Sequence, residues 1–479
     1  MPDGPSIDFT HHYAPDLRIA GQAQALARAD VLDPATGRPF GDAPVAEEET
    51  LDRAVAAAME AQREWRTRPW QARADTIRAF ADAVAADADI LGHLLAREQG
   101  KPLAKARGEV MGAGFFMNGF ADLTLEPETF RDVDAQYVQA ERRPIGVVAG
   151  ITAWNYPVLL AAWKIAPAVL TGNAVILKPA PSTPLASLRL AELADRVFPP
   201  GLVAVLTGDD RLGPWITAHP RIGKVSFTGS VATGQAIMQN AAPTLKRLTL
   251  ELGGNDAAIV MPDFDVAKHA AELFWSAMSN CGQVCAAAKR IFVPDGLYAA
   301  LCTQFGQIAS GAIVGPWNAE GVEIGPMQNA AQAAKVRDLI TRAKAAGAVV
   351  VYEGTVPDGD GFWVPPTVLR DAADDNPVVA EEQFGPVIAL SHYTDIDEVI
   401  ARANADPHGL GASVWGEDLD LAMSVASQLE AGTAWVNQHP SMGPEIPFGG
   451  IKASGYGVEC GRRGLEEYTV PFVLNVKRN

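Results

Sequence analysis

Over residues 47 to about 110 the chain repeats its apolar positions at the helical interval. Ala54, Ala58, Gln62 and Trp65 fall at that spacing, and Ile77, Phe80, Ala81 and Val84, then Ile90, Leu91, Leu94 and Leu95, continue it. Gly100 and Pro102 predict the close of the region, because glycine accepts the left-handed conformation at a helix end and proline cannot extend the helix. Between Asp122 and Pro144 the helical period disappears. Residues 130–139 partly alternate polar and apolar, which predicts an exposed strand or hairpin. A ribbon projecting from a helical region leaves strand edges that suit another subunit.

The pattern changes again at Gly146. Short apolar runs at 147–150, 174–177, 202–206, 224–227 and 247–251 alternate with helical stretches at 158–170, 185–197, 213–218 and 232–240. Strands alternating with helices at this spacing are βαβ units, and all-apolar strands suit a parallel sheet covered on both faces. A second α/β pattern opens at 257–260, continues through 290–293 and 348–352, and returns near 433–437. The last stretch, 468–476, is strand-like and positioned to rejoin the ribbon. No internal repeat is present.

Length and composition narrow the picture. A chain of 479 residues is too long for one core, so two or three domains are expected. Hydrophobic residues make up 48%, which excludes a largely disordered chain. The formal net charge of -18 argues against nucleic acid and anionic membrane as partners. Met1-Pro2-Asp3-Gly4-Pro5 lacks a secretory pattern, and the longest apolar stretch, 158–177, is broken by Lys164, Pro167, Gly172 and Asn173. A cytoplasmic location is expected. The four cysteines, Cys281, Cys285, Cys302 and Cys460, suit neither a disulfide framework nor a zinc set, so no metal is expected.

The candidate chemistry begins at Cys285, in Asn280-Cys281-Gly282-Gln283-Val284-Cys285-Ala286. About thirty residues earlier, Glu251 ends an apolar strand in Leu250-Glu251-Leu252-Gly253-Gly254-Asn255. A thiolate can attack a carbonyl carbon, and a carboxylate can activate the water that releases the acyl group. There is no GxGxxG fingerprint and no P-loop. The best phosphate candidate is Phe227-Thr228-Gly229-Ser230, where a strand turns into a helix start. Lys178 ends a strand and is placed to meet a ribose or phosphate. Singly, each also reads as an inert cysteine, a capped turn and a solvated strand end.

Taken in order, Ala153-Trp154-Asn155-Tyr156-Pro157, Lys178-Pro179, Phe227-Thr228-Gly229-Ser230, Glu251-Leu252-Gly253-Gly254, Gly282-Gln283-Val284-Cys285, Glu381-Glu382-Gln383-Phe384-Gly385-Pro386 and Pro447-Phe448-Gly449-Gly450 resemble the NAD(P)-dependent aldehyde dehydrogenase superfamily. The resemblance spans nearly the whole chain. It implies an α/β fold in three parts. These are a Rossmann-like cofactor domain (1–120 and 145–252), an α/β catalytic domain (253–464) and an oligomerisation β-ribbon (121–144 and 465–479). It implies a homodimer or homotetramer. It implies that Cys285 is the nucleophile, Asn155 the oxyanion donor, Glu251 the base for thioester hydrolysis and Glu459 a proton relay. For the cofactor it implies Lys178 at the adenine ribose, Gly229 and Ser230 at the pyrophosphate with Trp154 nearby, Glu382 at the nicotinamide ribose and Phe384 beside the nicotinamide.

Two positions depart from the family pattern. Pro181 stands where many NAD-preferring members carry a glutamate, which leaves NADP open, with NAD placed first on the family's usual preference. Asn255 stands where many have lysine. The aldehyde pocket implied by the resemblance is lined by Leu160, Trp163, Val284, Ala286, the loop 438–446 with Gln438 and His439, and Phe448. No arginine anchor and no aromatic cage for a quaternary ammonium is evident, so aromatic or medium-chain aliphatic aldehydes are expected. The alternatives are a CoA-acylating semialdehyde dehydrogenase, which commonly lacks the glutamate found here as Glu251, and a catalytically silent member of the fold.

Overall fold

The computed structural model describes residues 12–478. Met1–Pro5, where no secretory leader is expected, and Asn479 at the end of the ribbon lie outside them.

The N-terminal helical region comprises Glu48–Trp65, Trp70–Ala86, Ala88–Gln99 and Leu103–Ala121. Gly100 does end a helix, with φ +93°. Pro102, however, is the N-cap residue of the next helix, so the region runs on to Ala121 instead of fading near 110. Gly108, Gly112, Gly114 and Gly119 dilute the apolar stripe there, although Ala106, Val110, Ala113, Met117 and Phe120 are all buried.

The first sheet holds five parallel strands, in spatial order Arg247–Glu251, Lys224–Thr228, Val147–Ile151, Ala174–Lys178 and Val203–Val205. All but Arg247–Glu251 are buried along their whole length, as their apolar runs require. Gly455–Tyr456 returns from the C-terminal half and adds an antiparallel edge beside Leu250 and Glu251. Thr228 pairs with Glu251, Phe227 with Ile151, and Ile151 with Lys178, so these carboxyl ends lie along one rim. The chain order reverses between Val147–Ile151 and Lys224–Thr228. Ligands of open α/β sheets bind in the crevice at such a reversal.

The second sheet has seven strands in the order Val349–Glu353, Thr367–Arg370, Val387–Tyr393, Ala288–Pro294, Asp256–Val260, Gly411–Trp415 and Thr433–Val436. All neighbours are parallel except the first pair. The ribbon is a three-stranded antiparallel sheet. Gln136–Pro144 lies between Glu128–Val133 and the C-terminal Thr469–Lys477. Phe130, Val473 and Leu474 are exposed on it. Among the described residues no helix is long and apolar enough to cross a membrane.

Candidate active site

Cys285 is delivered by an unusual turn. Asn280, Cys281 and Gly282 adopt φ +53°, +57° and +67°, three successive left-handed residues. Only glycine fits at 282, where a Cβ would lie 2.0 Å from the Gly385 carbonyl oxygen. Cys281 is buried with its sulfur 3.8 Å from that of Met327, which accords with a packing role. Beyond the turn, Val284 and Cys285 line a cavity of about 430 Å³ at the rim of the first sheet, while Ala286 is buried away from it.

Glu251 and Asn155 line the same cavity. Asn155 follows the strand Val147–Ile151 and its Nδ2 donates to the Gln283 carbonyl at 3.0 Å, tying it to the cysteine loop. Burial pushes the Cys285 thiol well above its usual range, and the nearby Glu251 carboxyl adds to the rise. Glu251 is itself raised well above the usual carboxylate range, first by burial and then by Glu459, while a hydrogen bond with Cys285 lowers it. The pair therefore holds its protons more tightly than free side chains would, with the base facing the thiol.

Glu459 is 2% exposed and does not reach solvent directly. Lys164 Nζ donates to it at 2.6 Å and to Thr228 Oγ1 at 2.9 Å, and Ser226 Oγ donates to the same carboxylate oxygen at 2.9 Å. The geometry follows from the sequence. Ser226 and Thr228 share one face of a strand, and the missing side chain of Gly150 leaves room for Lys164, whose Cβ would stand 3.0 Å from an added Cβ. The Phe448 and Glu459 backbones exchange two 2.7 Å hydrogen bonds, which joins this polar cluster to the cavity wall.

At the other end of the cavity, Ser230 caps the helix Val231–Ala241 by accepting from the Thr233 N–H. The Gly229 N–H is already donated to the Glu251 carbonyl at 3.0 Å. A phosphate at this turn would therefore meet the N–H groups of the helix start after Gly229. Glu382 Oε1 accepts from the Gly254 N–H at 3.1 Å, and Trp154 meets Phe384 edge-on with centroids 5.2 Å apart. Lys178 is buried at its strand end, outside the cavity lining, within electrostatic reach of Asp210 and Asp209.

The remaining wall is apolar. Trp163 lies 5.0 Å from the Phe116 ring and 6.0 Å from the Phe448 ring, with Leu160 and Met442 completing the surface. Three rings of the cavity wall thus meet, with Phe116 and Phe448 each packing on Trp163. His439 does not line the cavity. Its side chain is fully buried, 4.7 Å from the Trp435 ring and 3.4 Å from Asp256, and the loop contributes Pro440 and Met442 instead. Gln438 is likewise outside the lining.

Residues 21–472 match the model of the aldehyde dehydrogenase family. The chain belongs to the aldehyde dehydrogenase family. It is an oxidoreductase that acts on aldehydes. A phenylacetaldehyde dehydrogenase of Pseudomonas fluorescens is 38% identical over 472 residues, covering 95% of this chain and 94% of its own. A betaine aldehyde dehydrogenase of Rhizobium leguminosarum bv. trifolii is 37% identical over 446 residues, 91% of each chain. A solved NAD+ complex of an aldehyde dehydrogenase from Bacillus cereus superposes with a TM-score of 0.94 at 32% identity, covering 97% of both chains.

In this aldehyde dehydrogenase the cavity gathers Cys285, Glu251, Asn155, Trp154, Gly229, Ser230, Glu382, Phe384, Leu160, Trp163, Val284 and Phe448. It leaves Lys178, Glu459 and His439 outside the lining. Phe116, Gln332 and Lys335 join the lining without having been singled out by any motif, while Pro440 and Met442 come from the expected loop 438–446. Lys164 had a visible signal: a lysine inside a long apolar helix calls for a buried partner.

Proposed function

We propose that this aldehyde dehydrogenase is of the hydrolytic, NAD(P)-dependent kind and takes aromatic or medium-chain aliphatic aldehydes. The observation that carries the reading is the convergence of Cys285, Glu251 and Asn155 on one cavity. The Cys285 sulfur attacks the aldehyde carbon while its proton passes to Glu251, forming a thiohemiacetal. The oxygen that gains charge is met by the second N–H of the Asn155 side-chain amide and by the Cys285 backbone N–H. When bound, the dinucleotide supplies the acceptor for the hydride that leaves this carbon. Once that first proton has left it, the Glu251 carboxylate takes a proton from water as the water oxygen adds to the Cys285 thioester, and collapse returns this proton to the sulfur, freeing the acid and restoring the thiol. Lys164 and Glu459 hold a buried charge pair behind Glu251 through which a proton can leave.

The residues present fit a dinucleotide. Ser230 and the following helix start, with Trp154 nearby, suit the pyrophosphate, Glu382 the nicotinamide ribose, and Phe384, edge-on to Trp154, the nicotinamide ring. Gly229 serves by shape, since its N–H is committed. NAD comes before NADP because Asp209 and Asp210 stand near Lys178, and a 2′-phosphate there would meet two carboxylates. For the aldehyde, the Phe116, Trp163 and Phe448 rings offer an apolar wall, which agrees with the phenylacetaldehyde-named relative. The exposed apolar residues of the ribbon, Phe130, Val473 and Leu474, suit pairing with a second copy into a homodimer or homotetramer.

The test is kcat/KM for benzaldehyde, phenylacetaldehyde, hexanal, succinic semialdehyde and betaine aldehyde, each with NAD+ and NADP+. The uncharged aldehydes should lead with NAD+. A charged aldehyde ranking first would overturn the substrate reading, and activity surviving in Cys285→Ala would overturn the mechanism.

A further inference from the structure

Below Asn155 lies a buried ion pair that the steps above do not use. Lys101 and Glu109 are 2% and 1% exposed at their side chains, with Nζ and Oε2 2.5 Å apart. Lys101 follows the left-handed Gly100, and Glu109 sits two turns into the next helix. Lys101 Nζ also donates to the Asn155 backbone carbonyl at 2.8 Å. Asn280 Nδ2 reaches the same carbonyl at 3.1 Å from the cysteine loop. The second Glu109 oxygen accepts from the N–H groups of Val158 and Leu159 at 2.9 and 3.2 Å. These are orphan donors in the first turn of the helix Pro157–Leu170, which has no side-chain cap of its own.

Asn155 is thus held on both sides. Its carbonyl is fixed from below by a cation, and the helix that begins two residues later is pinned by a carboxylate. The Lys101 ammonium also stands 4.0 Å over the ring of Tyr156, which lines the cavity. A buried pair of this kind contributes little net stability compared with apolar side chains of the same volume. It does, however, fix the direction of what it touches.

We infer that Lys101 and Glu109 are a positioning pair that aims the Asn155 amide at the oxygen of the aldehyde. The inference rests on the oxyanion reading of Asn155. If that reading is right, loosening the pair lowers the rate by letting the amide drift, and the loss is confined to variants that still possess the amide.

A double-mutant cycle tests this with the full-length enzyme, its best aldehyde and saturating dinucleotide. Asn155→Ala alone should lower kcat about 10²–10³-fold, the cost of an oxyanion donor. Unchanged kcat in that variant would overturn the oxyanion reading itself. The uncharged pair Lys101→Met/Glu109→Gln, which leaves no isolated buried charge and keeps an acceptor for the helix cap, should lower kcat roughly tenfold or more. The dinucleotide KM should stay within about twofold, because the pair does not touch the cofactor end. Introduced into the Asn155→Ala background, the same change should cost less than about twofold. An equal loss in both backgrounds assigns the pair a merely structural role and overturns the inference, as does no loss in the presence of Asn155. Should the uncharged pair fail to fold, Lys101→Arg, which keeps the cation but alters its reach to the Asn155 carbonyl, carries the same cycle with the same outcomes.

Discussion

Gly254→Ala tests how tightly the nucleophile is held. An added Cβ would sit 2.4 Å from the Cys285 carbonyl oxygen and 3.0 Å from Asp256 Oδ1. The Gly254 backbone is not left-handed, so alanine meets no conformational strain, and the effect is purely one of space. To restore a contact of even 3.0 Å the Cys285 peptide must retreat by about 0.6 Å. The atom it approaches is backbone, so no side-chain rotation relieves it. Attack requires sulfur and carbonyl carbon at roughly 3–3.5 Å in a fixed direction, and a misplacement near 1 Å costs on the order of 10²-fold. We predict a fall in kcat/KM for the aldehyde of about 30- to 100-fold, or roughly 2–2.7 kcal/mol of transition-state stabilisation. The global cost of overpacking should be about 1–3 kcal/mol, read from denaturant unfolding. Steady-state kinetics on protein verified as folded are sufficient. A Gly254→Ala enzyme within about threefold of wild type would falsify the claim that the strand end holds the cysteine loop in register.

Gly253→Ala provides a contrast, because its Cβ would meet the Glu382 carboxylate at 2.7 Å instead of backbone. It should raise the dinucleotide KM several-fold with a smaller effect on kcat; the reverse split would remove Glu382 from the cofactor end. Glu459→Gln removes one of the charges that raise Glu251. A raised pKa keeps the base protonated to higher pH, so the acid limb of kcat/KM against pH should move to lower pH in this variant. An unmoved limb would uncouple the two carboxyl groups. Asp209→Asn/Asp210→Asn removes the carboxylates near Lys178 and releases Arg211 from its 2.8 Å contact with Asp209. The ratio of NADP+ to NAD+ kcat/KM should increase several-fold at low ionic strength, and a constant ratio would place the cofactor choice elsewhere.

The parallel strands of the first sheet were legible because their runs are short, apolar and evenly spaced. The strand ending in Glu251 and the helix beginning at Pro157 fall where periodicity puts them. The fourth N-terminal helix was hidden by its glycines, which weaken the stripe without breaking the helix. Cys285, Asn155 and Glu251 could be placed together because motifs carry them. The aromatic wall could be placed only in part: Trp163 and Phe448 were expected in the pocket, but Phe116 comes from a helix about forty residues before the motif helix and meets Trp163 only through tertiary packing. His439 misled for the opposite reason. Its neighbours Pro440 and Met442 do line the cavity, but the imidazole turns inward to Asp256 and Trp435. Lys164 could be read as a mere interruption of an apolar run, although a lysine with no exposure must find acceptors, and it finds three.

The central claim is a covalent acyl intermediate on Cys285 released by Glu251. The most direct measurement is intact-protein and peptide mass spectrometry of Glu251→Gln after prolonged mixing with aldehyde and NAD+ at alkaline pH, where the Cys285 thiol ionises without the carboxylate. The account predicts one acyl group per chain, carried on the peptide containing Cys285 and absent from the Cys285→Ala/Glu251→Gln double variant. Reduced dinucleotide appearing with no acyl mass, or an acyl mass that persists when Cys285 is replaced, would contradict it.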